Sequence, residues 1–478
     1  MVVHDRLVDG RLVERARRGA EVIDAGKAAG EGGSRQARIN ALLIERAREG
    51  KSVVRLKGGD PFLFGRGGEE AEALAKAGIP FEVVPGVTSA LAVPAYAGIP
   101  LTQRGHASSL TIVTGSESPE EERRPIAWDK LAQVGGTLVV LMGWDNLSVI
   151  TETLMREGRA ASTPVAVVQW GTEPYQRTVV GDLSNIVPRA RGAGLAPPVV
   201  IVVGEVVSLR DRLRWFDDRP LFGKRVLVTR TAQQAGALST LLSREGAHPL
   251  EAPTIEVQPL DSHRELDRAL GSLAEYGWVV FGSANAVEAV FGRLTSMGRD
   301  ARSFYGVRVA AMGSATAVSL ASRGIVADLV ASGSGAESMV DALKGAGVAG
   351  GRILLPGAES RRDTLAEGLG AAGAAVDQIA AYRTVTPEGS RARLAEVLLD
   401  GIDVATFTSS STVRNMAALV DGDLAALEGV KIACIGPVTA EAAGEVGLKV
   451  DVLARESTVA GLVDALKSYY VEEAASNE

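Results

Sequence analysis

The stretch VVRLKGGDPFLFGRGGEE, residues 53–70, decides the class of fold. An apolar, β-branched run ends at Leu56, a Gly-Gly-Asp-Pro turn follows, and helix-forming residues begin near Glu69. A strand, turn and helix in that order put the turn at the carboxyl end of a strand, where open α/β sheets bind ligands. Gly58 and Gly59 have no side chain, so a ligand there can contact the backbone directly. The phosphate-loop pattern G-x-x-x-x-G-K-[ST] is absent. By glycine content alone the stretch is an ordinary βα turn.

Outward from this turn the same alternation continues. EEAEALAKAG follows SVVRL, AGALSTLLSREG follows RVLVTR, and TLVVLM and VVIVV are apolar throughout. This predicts an α/β chain with parallel sheets covered on both faces by helices. A second strand-turn spans FEVVPGVTSALAVPAYAGIP, residues 81–100, with Thr88 and Ser89 just after its strand. Their hydroxyls can face a ligand or cap the following helix. GAGVAG from Gly345 matches G-x-G-x-x-G, but a helix precedes it and a strand follows, so it reads as an αβ loop. The charged run DRLRWFDDRPLFGK, residues 211–224, reads as a linker between domains 1–214 and 222–470.

The back half repeats itself. GKRVLVTR from Gly223 recurs as GGRILLPG from Gly350, 127 residues on. WVVFGSANAVEAV recurs as VATFTSSSTVRNM after 126 residues, and VRVAAMGSATA as VKIACIGPVTA after 123. Gly313 thereby matches Gly436, and Thr316 matches Thr439. Ordered recurrence at nearly constant spacing predicts two similar α/β lobes with a ligand cleft between them.

Composition bounds the function. A chain of 478 residues is too long for one core. The net charge of −7 argues against a nucleic-acid partner, while leaving room for a local cationic site. Cys434 is the single cysteine and the four histidines are scattered, so no metal is expected. The charged N-terminal stretch is not a secretory signal and no apolar run reaches membrane-span length, so a soluble, cytoplasmic protein is expected, with no membrane partner.

The run from GGDPFLFGRGGEE through LTQR, with HDRLV near the start and GTEPYQRT near residue 178, resembles the uroporphyrinogen-III C-methyltransferases across nearly the whole front half. The resemblance implies a two-subdomain tetrapyrrole-methylase fold that uses S-adenosyl-L-methionine and methylates uroporphyrinogen III twice, giving precorrin-2 on the way to siroheme or cobalamin. It implies cofactor contacts at Gly58, Gly59, Asp60, Leu63, Thr88, Ser89, Met142 and Gly171, with Asp5 as proton acceptor and Lys27 as proton donor. Arg6, Arg55, Lys57, Arg66 and Arg104 are candidates for the substrate's carboxylates. The family is usually dimeric, so a homodimer is an open expectation. Its usual opening strand, GxGPGDP turn and helix have no counterpart here: VVHDRL reads as the second strand. Two readings stay open, an active methyltransferase or a catalytically silent module attached to a working second half.

Residues 222–470 resemble uroporphyrinogen-III synthase through VLVTRTAQQAGALSTLL, VVFGSANAVEAV, AAMGSATA, AAYRTVTP, TFTSSSTV and CIGPVTAEAA. The resemblance implies a bilobal α/β module that closes hydroxymethylbilane to uroporphyrinogen III, inverting the last pyrrole without a cofactor. Tyr382 matches a tyrosine suggested to help the hydroxyl leave. Ser283, Thr316, Ser409, Ser410 and Thr439 lie at strand-to-helix turns and are candidate substrate contacts. Helix capping and hinge packing are the alternative roles of these residues.

Overall fold

The computed structural model describes residues 1–17, 19–28, 34–116, 126–331, 336–360 and 364–476, without the side chains of residues 27, 28, 34, 232 and 233. The chain divides into two compact units, Met1–Arg219 and Pro220–Glu478.

The first unit contains two sheets. Strands β1 (Val2–His4), β2 (Val22–Asp24) and β3 (Val54–Leu56) form a parallel sheet in the order β2-β1-β3. Strands β4 (Leu110–Thr114), β5 (Thr137–Leu141), β6 (Pro164–Gln169), β7 (Arg177–Asp182) and β8 (Val199–Val203) form the second, in the order β4-β5-β8-β6-β7. In this sheet side chains alternate between two buried layers. Val139, Leu141, Val168, Val200 and Val202 pack on one face, and Leu138, Val140, Val167, Ile201 and Val203 on the other. The expectation of parallel pairing needs correction here: only β4 and β5 run parallel, and β8 is antiparallel to both its neighbours. Burial of both faces, not strand direction, is what made VVIVV wholly apolar.

A second correction concerns FEVV. Residues 81–88 join no sheet among the described residues, and Val84 is 81% exposed. Among the described residues β3 pairs only with β1, and no neighbouring strand answers the hydrogen-bonding groups of this run.

The charged run read as a linker is packed as far as Arg219. Arg210, only 7% exposed, donates to the Ala97 carbonyl and pairs with Asp217. Trp215 Nε1 donates to Ala95 O at 2.9 Å, and the rings of Trp215 and Phe216 lie 5.0 and 4.8 Å from Tyr96. At Gly98, whose φ is +70°, a methyl group would lie 2.6 Å from the Leu213 carbonyl oxygen, so the two stretches meet backbone to backbone.

The second unit bears out the duplication in its strand order. The first sheet holds β9 (Arg225–Val228), β10 (His248–Glu251), β17 (Val404–Phe407), β18 (Lys431–Cys434) and β19 (Val452–Leu453), ordered β10-β9-β17-β18-β19. The second holds β11 (Glu256–Gln258), β12 (Trp278–Phe281), β13 (Arg308–Ala311), β14 (Leu329–Val330), β15 (Arg352–Ala358) and β16 (Ala375–Val385), ordered β11-β16-β15-β12-β13-β14. Apart from β11, each strand has its repeat at the same place. Single hydrogen bonds recur as well: Asp328 accepts from Val309 N at 2.7 Å, and Asp451 from Ile432 N at 2.9 Å. β11 pairs antiparallel with the end of β16, where the chain crosses between lobes.

Replacing Asp217 by Ala leaves the Arg210 cation buried and unpaired. The expected cost is about 3 kcal/mol, and replacing both residues with apolar ones should cost less. Denaturant unfolding of the full chain, followed through tryptophan fluorescence, checks the order.

Candidate functional site

In the first unit the GGDP and PGVT turns form one joint. Asp60 accepts from Phe62 N at 2.8 Å through Oδ1 and from Gly86 N at 3.1 Å through Oδ2. These amides, Gly86 foremost, hold the Asp60 carboxyl below its ordinary range. A methyl group on Gly86 would meet the Gly59 carbonyl oxygen at 2.3 Å, and one on Gly59 (φ +71°) would stand 3.5 Å from Thr88 Cα and 3.7 Å from Ser89 N. The structure therefore brings Gly59, Asp60, Thr88 and Ser89 together. Gly58 and Leu63 flank them in the same turn. Thr88 caps the helix Ser89–Tyr96, accepting from Ala90 N at 3.3 Å, so its hydroxyl serves the helix, while Ser89 stays exposed.

The same helix carries the joint to the second sheet. Val93 packs with Leu141, Val168 and Val200, and a methyl group on Gly171 would lie 2.3 Å from its side chain. Met142 directly follows β5, 53% exposed. Met142, Trp170 and Thr172 all have positive φ, at 55°, 49° and 76°, a conformation costly for residues with side chains. All three lie just past the ends of β5 and β6. The sequence reading missed Trp170, which is exposed and lies edge-on to Tyr175 at 5.7 Å; an aromatic after a buried strand was its only signal.

Asp5 follows β1 and is held between two cations. It pairs with Arg55, and Lys57 Nζ lies 3.5 Å from its Oδ2. Arg55 Nε and Lys57 Nζ each reach Glu70 Oε1 at 3.2 Å, and Glu70 is 4% exposed. Of the residues proposed for substrate carboxylates, Arg55 and Lys57 are thus engaged internally, and Arg66 pairs with Glu69 at 2.8 Å. Glu70 read as a helix-forming residue gave no sign of this role. Lys27 lies on a short helix, Ala25–Ala28, and its side chain falls outside the described ones.

In the second unit Tyr382 is 7% exposed, and its hydroxyl hydrogen-bonds that of Ser283 at 3.2 Å. Register explains the aim. Gly357 pairs with Ala380 but Ala358 pairs with Tyr382, so β16 carries a bulge at Ala381. Ala381 and Tyr382 consequently pack into the same apolar layer, which successive residues of a regular strand do not do. Ser283 also caps the helix Ala284–Ser296, accepting from Ala286 N at 3.2 Å. Ser409 caps the equivalent helix in a reciprocal capping box with Thr412, and Ser410 donates to Val438 O at 3.0 Å. Thr316 and Thr439 are each 5% exposed in the first turns of their helices. Ser283 and Tyr382 are thus joined hydroxyl to hydroxyl, while Ser409 and Ser410 bond within or between helix starts and Thr316 and Thr439 are buried. Among the described residues no acidic or histidine cluster suits a metal, and no helix is long and apolar enough to cross a membrane.

Comparison with known proteins falls along the same division. Residues 1–187 match the family of Tetrapyrrole (Corrin/Porphyrin) Methylases, and residues 236–464 match Uroporphyrinogen-III synthase HemD. A "Porphyrin biosynthesis protein HemD" of Ruminiclostridium josui is 37% identical over 98% of this chain and 92% of its own length. An "S-adenosyl-L-methionine-dependent uroporphyrinogen III methyltransferase" of Methanosarcina barkeri is 50% identical over 45% of this chain and 84% of its own. A "Siroheme synthase" of Azotobacter vinelandii is 51% identical over 46% of this chain, which spans 47% of that relative.

Two outcomes follow from the Asp60 joint. Gly86→Ala forces the Gly59 carbonyl away and should destabilise the first unit by about 1–3 kcal/mol, measured by denaturant unfolding. Because the Asp60 carboxyl is lowered in the folded state, its stabilisation is full above the unfolded value, near about pH 4, and is lost as pH falls through the lower folded value. The gap in melting temperature between wild type and Asp60→Asn should therefore be constant at neutral pH and close in acid.

Proposed function

The chain belongs to the family of fused tetrapyrrole methylases and uroporphyrinogen-III synthases, with a uroporphyrinogen-III C-methyltransferase in its first unit and the synthase in its second, and on that premise we propose that it carries two consecutive steps. The second unit cyclises hydroxymethylbilane to uroporphyrinogen III, and the first methylates that product twice to precorrin-2, toward siroheme or cobalamin. The carrying observation is the union of both families in one chain, where the product of one unit is the substrate of the other.

In the cyclisation the leaving hydroxyl departs as water after taking a proton. Tyr382 Oη, hydrogen-bonded to Ser283, is the donor group within the cyclising unit that supports this role. Attack of a substituted pyrrole carbon on the exocyclic carbon of the resulting azafulvene gives a spiro intermediate. Reopening and reclosure invert the last ring, and loss of a proton restores aromaticity. Positioning carries most of this chemistry.

In the methyltransferase, S-adenosyl-L-methionine supplies the methyl groups when bound. The side-chain-free backbone at Gly58, Gly59 and Gly171, the Asp60 joint and the left-handed Met142 fit a ligand without phosphate, held by backbone polar groups and an apolar slot. Leu63, Thr88 and Ser89 complete the pocket. Methylation makes a substituted pyrrole carbon quaternary and leaves the ring cationic; Asp5, oriented by Arg55 and Lys57, takes the proton the macrocycle then loses, and Lys27 returns a proton to the macrocycle. One observation favours the alternative of a silent methyltransferase: the apolar run at 81–87 is exposed and unpaired beside the cofactor turn.

Incubating the full chain with hydroxymethylbilane and S-adenosyl-L-methionine should yield a cyclised type-III product carrying two added methyl groups by mass spectrometry. Cyclised product without added methyls supports the alternative. Tyr382→Phe should slow cyclisation by roughly 10²-fold or more while costing only about 1 kcal/mol of stability. A rate loss no larger than that stability change predicts would assign Tyr382 to packing alone.

A further inference from the structure

Several buried or half-buried arginines among the described residues have their charge answered. Arg210 pairs with Asp217, Arg293 pairs with Asp267 at 2.5 Å, and Arg55 pairs with Asp5 and Glu70. Arg159 is desolvated, yet it donates to the carbonyls of Ala132 and Val134 at the end of the helix Trp128–Gln133. There the helix dipole supplies negative charge. Arg230 differs from these four. Its Nε is buried with no hydrogen-bond partner, and no carboxylate lies within ion-pair distance of it among the described residues. Its hydrogen bond is to a neutral group: Nη2 donates to Gln234 Oε1 at 3.0 Å. Burial pushes its pKa down, as expected for a cation stripped of water and given no anion. An uncompensated cation of this kind opposes folding, so its persistence calls for a ligand.

Its position names the ligand. Arg230 stands two residues beyond β9, at the carboxyl end of a strand, between the buried Thr229 and Thr231. Gln234 passes the contact to the other lobe, donating from Nε2 to Asn285 Oδ1 at 2.7 Å. Asn285 lies two residues from Ser283, the partner of Tyr382. The duplication gives no second copy of this charge, because Gly357 occupies the repeat of Arg230. We propose that Arg230 is a substrate-binding residue of the cyclising unit, its guanidinium receiving one side-chain carboxylate of the linear tetrapyrrole next to the Gln234–Asn285 contact between the lobes. An arginine at this turn of one lobe and a glycine at its repeat give two otherwise similar lobes a polarity, by which one end of the bilane is told from the other. This rests on the cyclisation reading above.

The test uses the full chain as wild type, Arg230→Gln and Arg230→Lys. Initial cyclisation rates against bilane concentration should give a KM at least about tenfold higher for Arg230→Gln with kcat changed far less, and an intermediate KM for Arg230→Lys. The ligand-free melting temperature of Arg230→Gln should equal or exceed that of wild type, because an unpaired cation is removed; a purely structural arginine would lower it. An unchanged KM, or a lowered melting temperature with kcat and KM falling together, overturns the proposal. Fluorescence titration with uroporphyrin, a polycarboxylate macrocycle, separates this from the parent reading. If wild type fails to cyclise the bilane but binds uroporphyrin more tightly than Arg230→Gln does, the cyclisation reading falls and the carboxylate site stands. Equal binding by the two overturns the site.

Discussion

The absence of a side chain at Gly59 and Gly86 is the constraint on which the first unit depends. The two backbones meet where a single methyl group would fall 2.3 Å from a carbonyl oxygen, and Asp60 ties them by accepting from both sides of the joint. From that joint the helix Ser89–Tyr96 runs to Gly171, against which Val93 packs just as closely. Residues from two sheets are thereby fixed around one turn. The positive φ at Met142, Trp170 and Thr172 shows strain gathered in the same region, which the surrounding packing must over-determine.

The second unit solves its positioning problem by duplication and one local exception. Two sheets of the same strand order each bury both faces, with Val226 and Val228 in one layer and Leu227 in the other, and likewise Val279 and Phe281 against Val280. Such sheets leave ligands only their strand ends and the helix starts beside them. Ser283 and Ser409 occupy equivalent helix starts with almost the same backbone, φ −159° and −164°. The bulge at Ala381 breaks the equivalence by turning Tyr382 toward Ser283 alone.

Charge is treated differently in the two units. Around Asp5 two carboxylates meet two cations inside the protein, so the cluster is neutral and its geometry is fixed before any ligand arrives. Around Arg230 the cation is left with an amide for company. A neutral, satisfied cluster suits the proton transfer proposed for Asp5, and an unsatisfied cation suits the carboxylate proposed for Arg230.

The sequence by itself determined the α/β class, the duplication and the local turns, because strand, turn and helix preferences act between near neighbours and a repeat is visible as repeated letters. GGDP and PGVT were legible as turns for this reason, and so was the loop at Gly345, which lies between the helix Ala336–Gly345 and β15. What the sequence lacked was everything decided by a distant partner. FEVV has the composition of a strand but no neighbouring strand to pair with, and VVIVV reads alike whether its neighbours run parallel or antiparallel. The run 211–224 looked like a linker, but its Trp215 and Phe216 meet Ala95 and Tyr96, and Arg210 just before it meets Ala97, more than a hundred residues earlier. Glu70 and Arg230 are ordinary charged letters in the sequence. Only the tertiary structure decides that Glu70 meets two cations and that Arg230 meets no carboxylate among the described residues, because burial and pairing are properties of residues far apart in the chain.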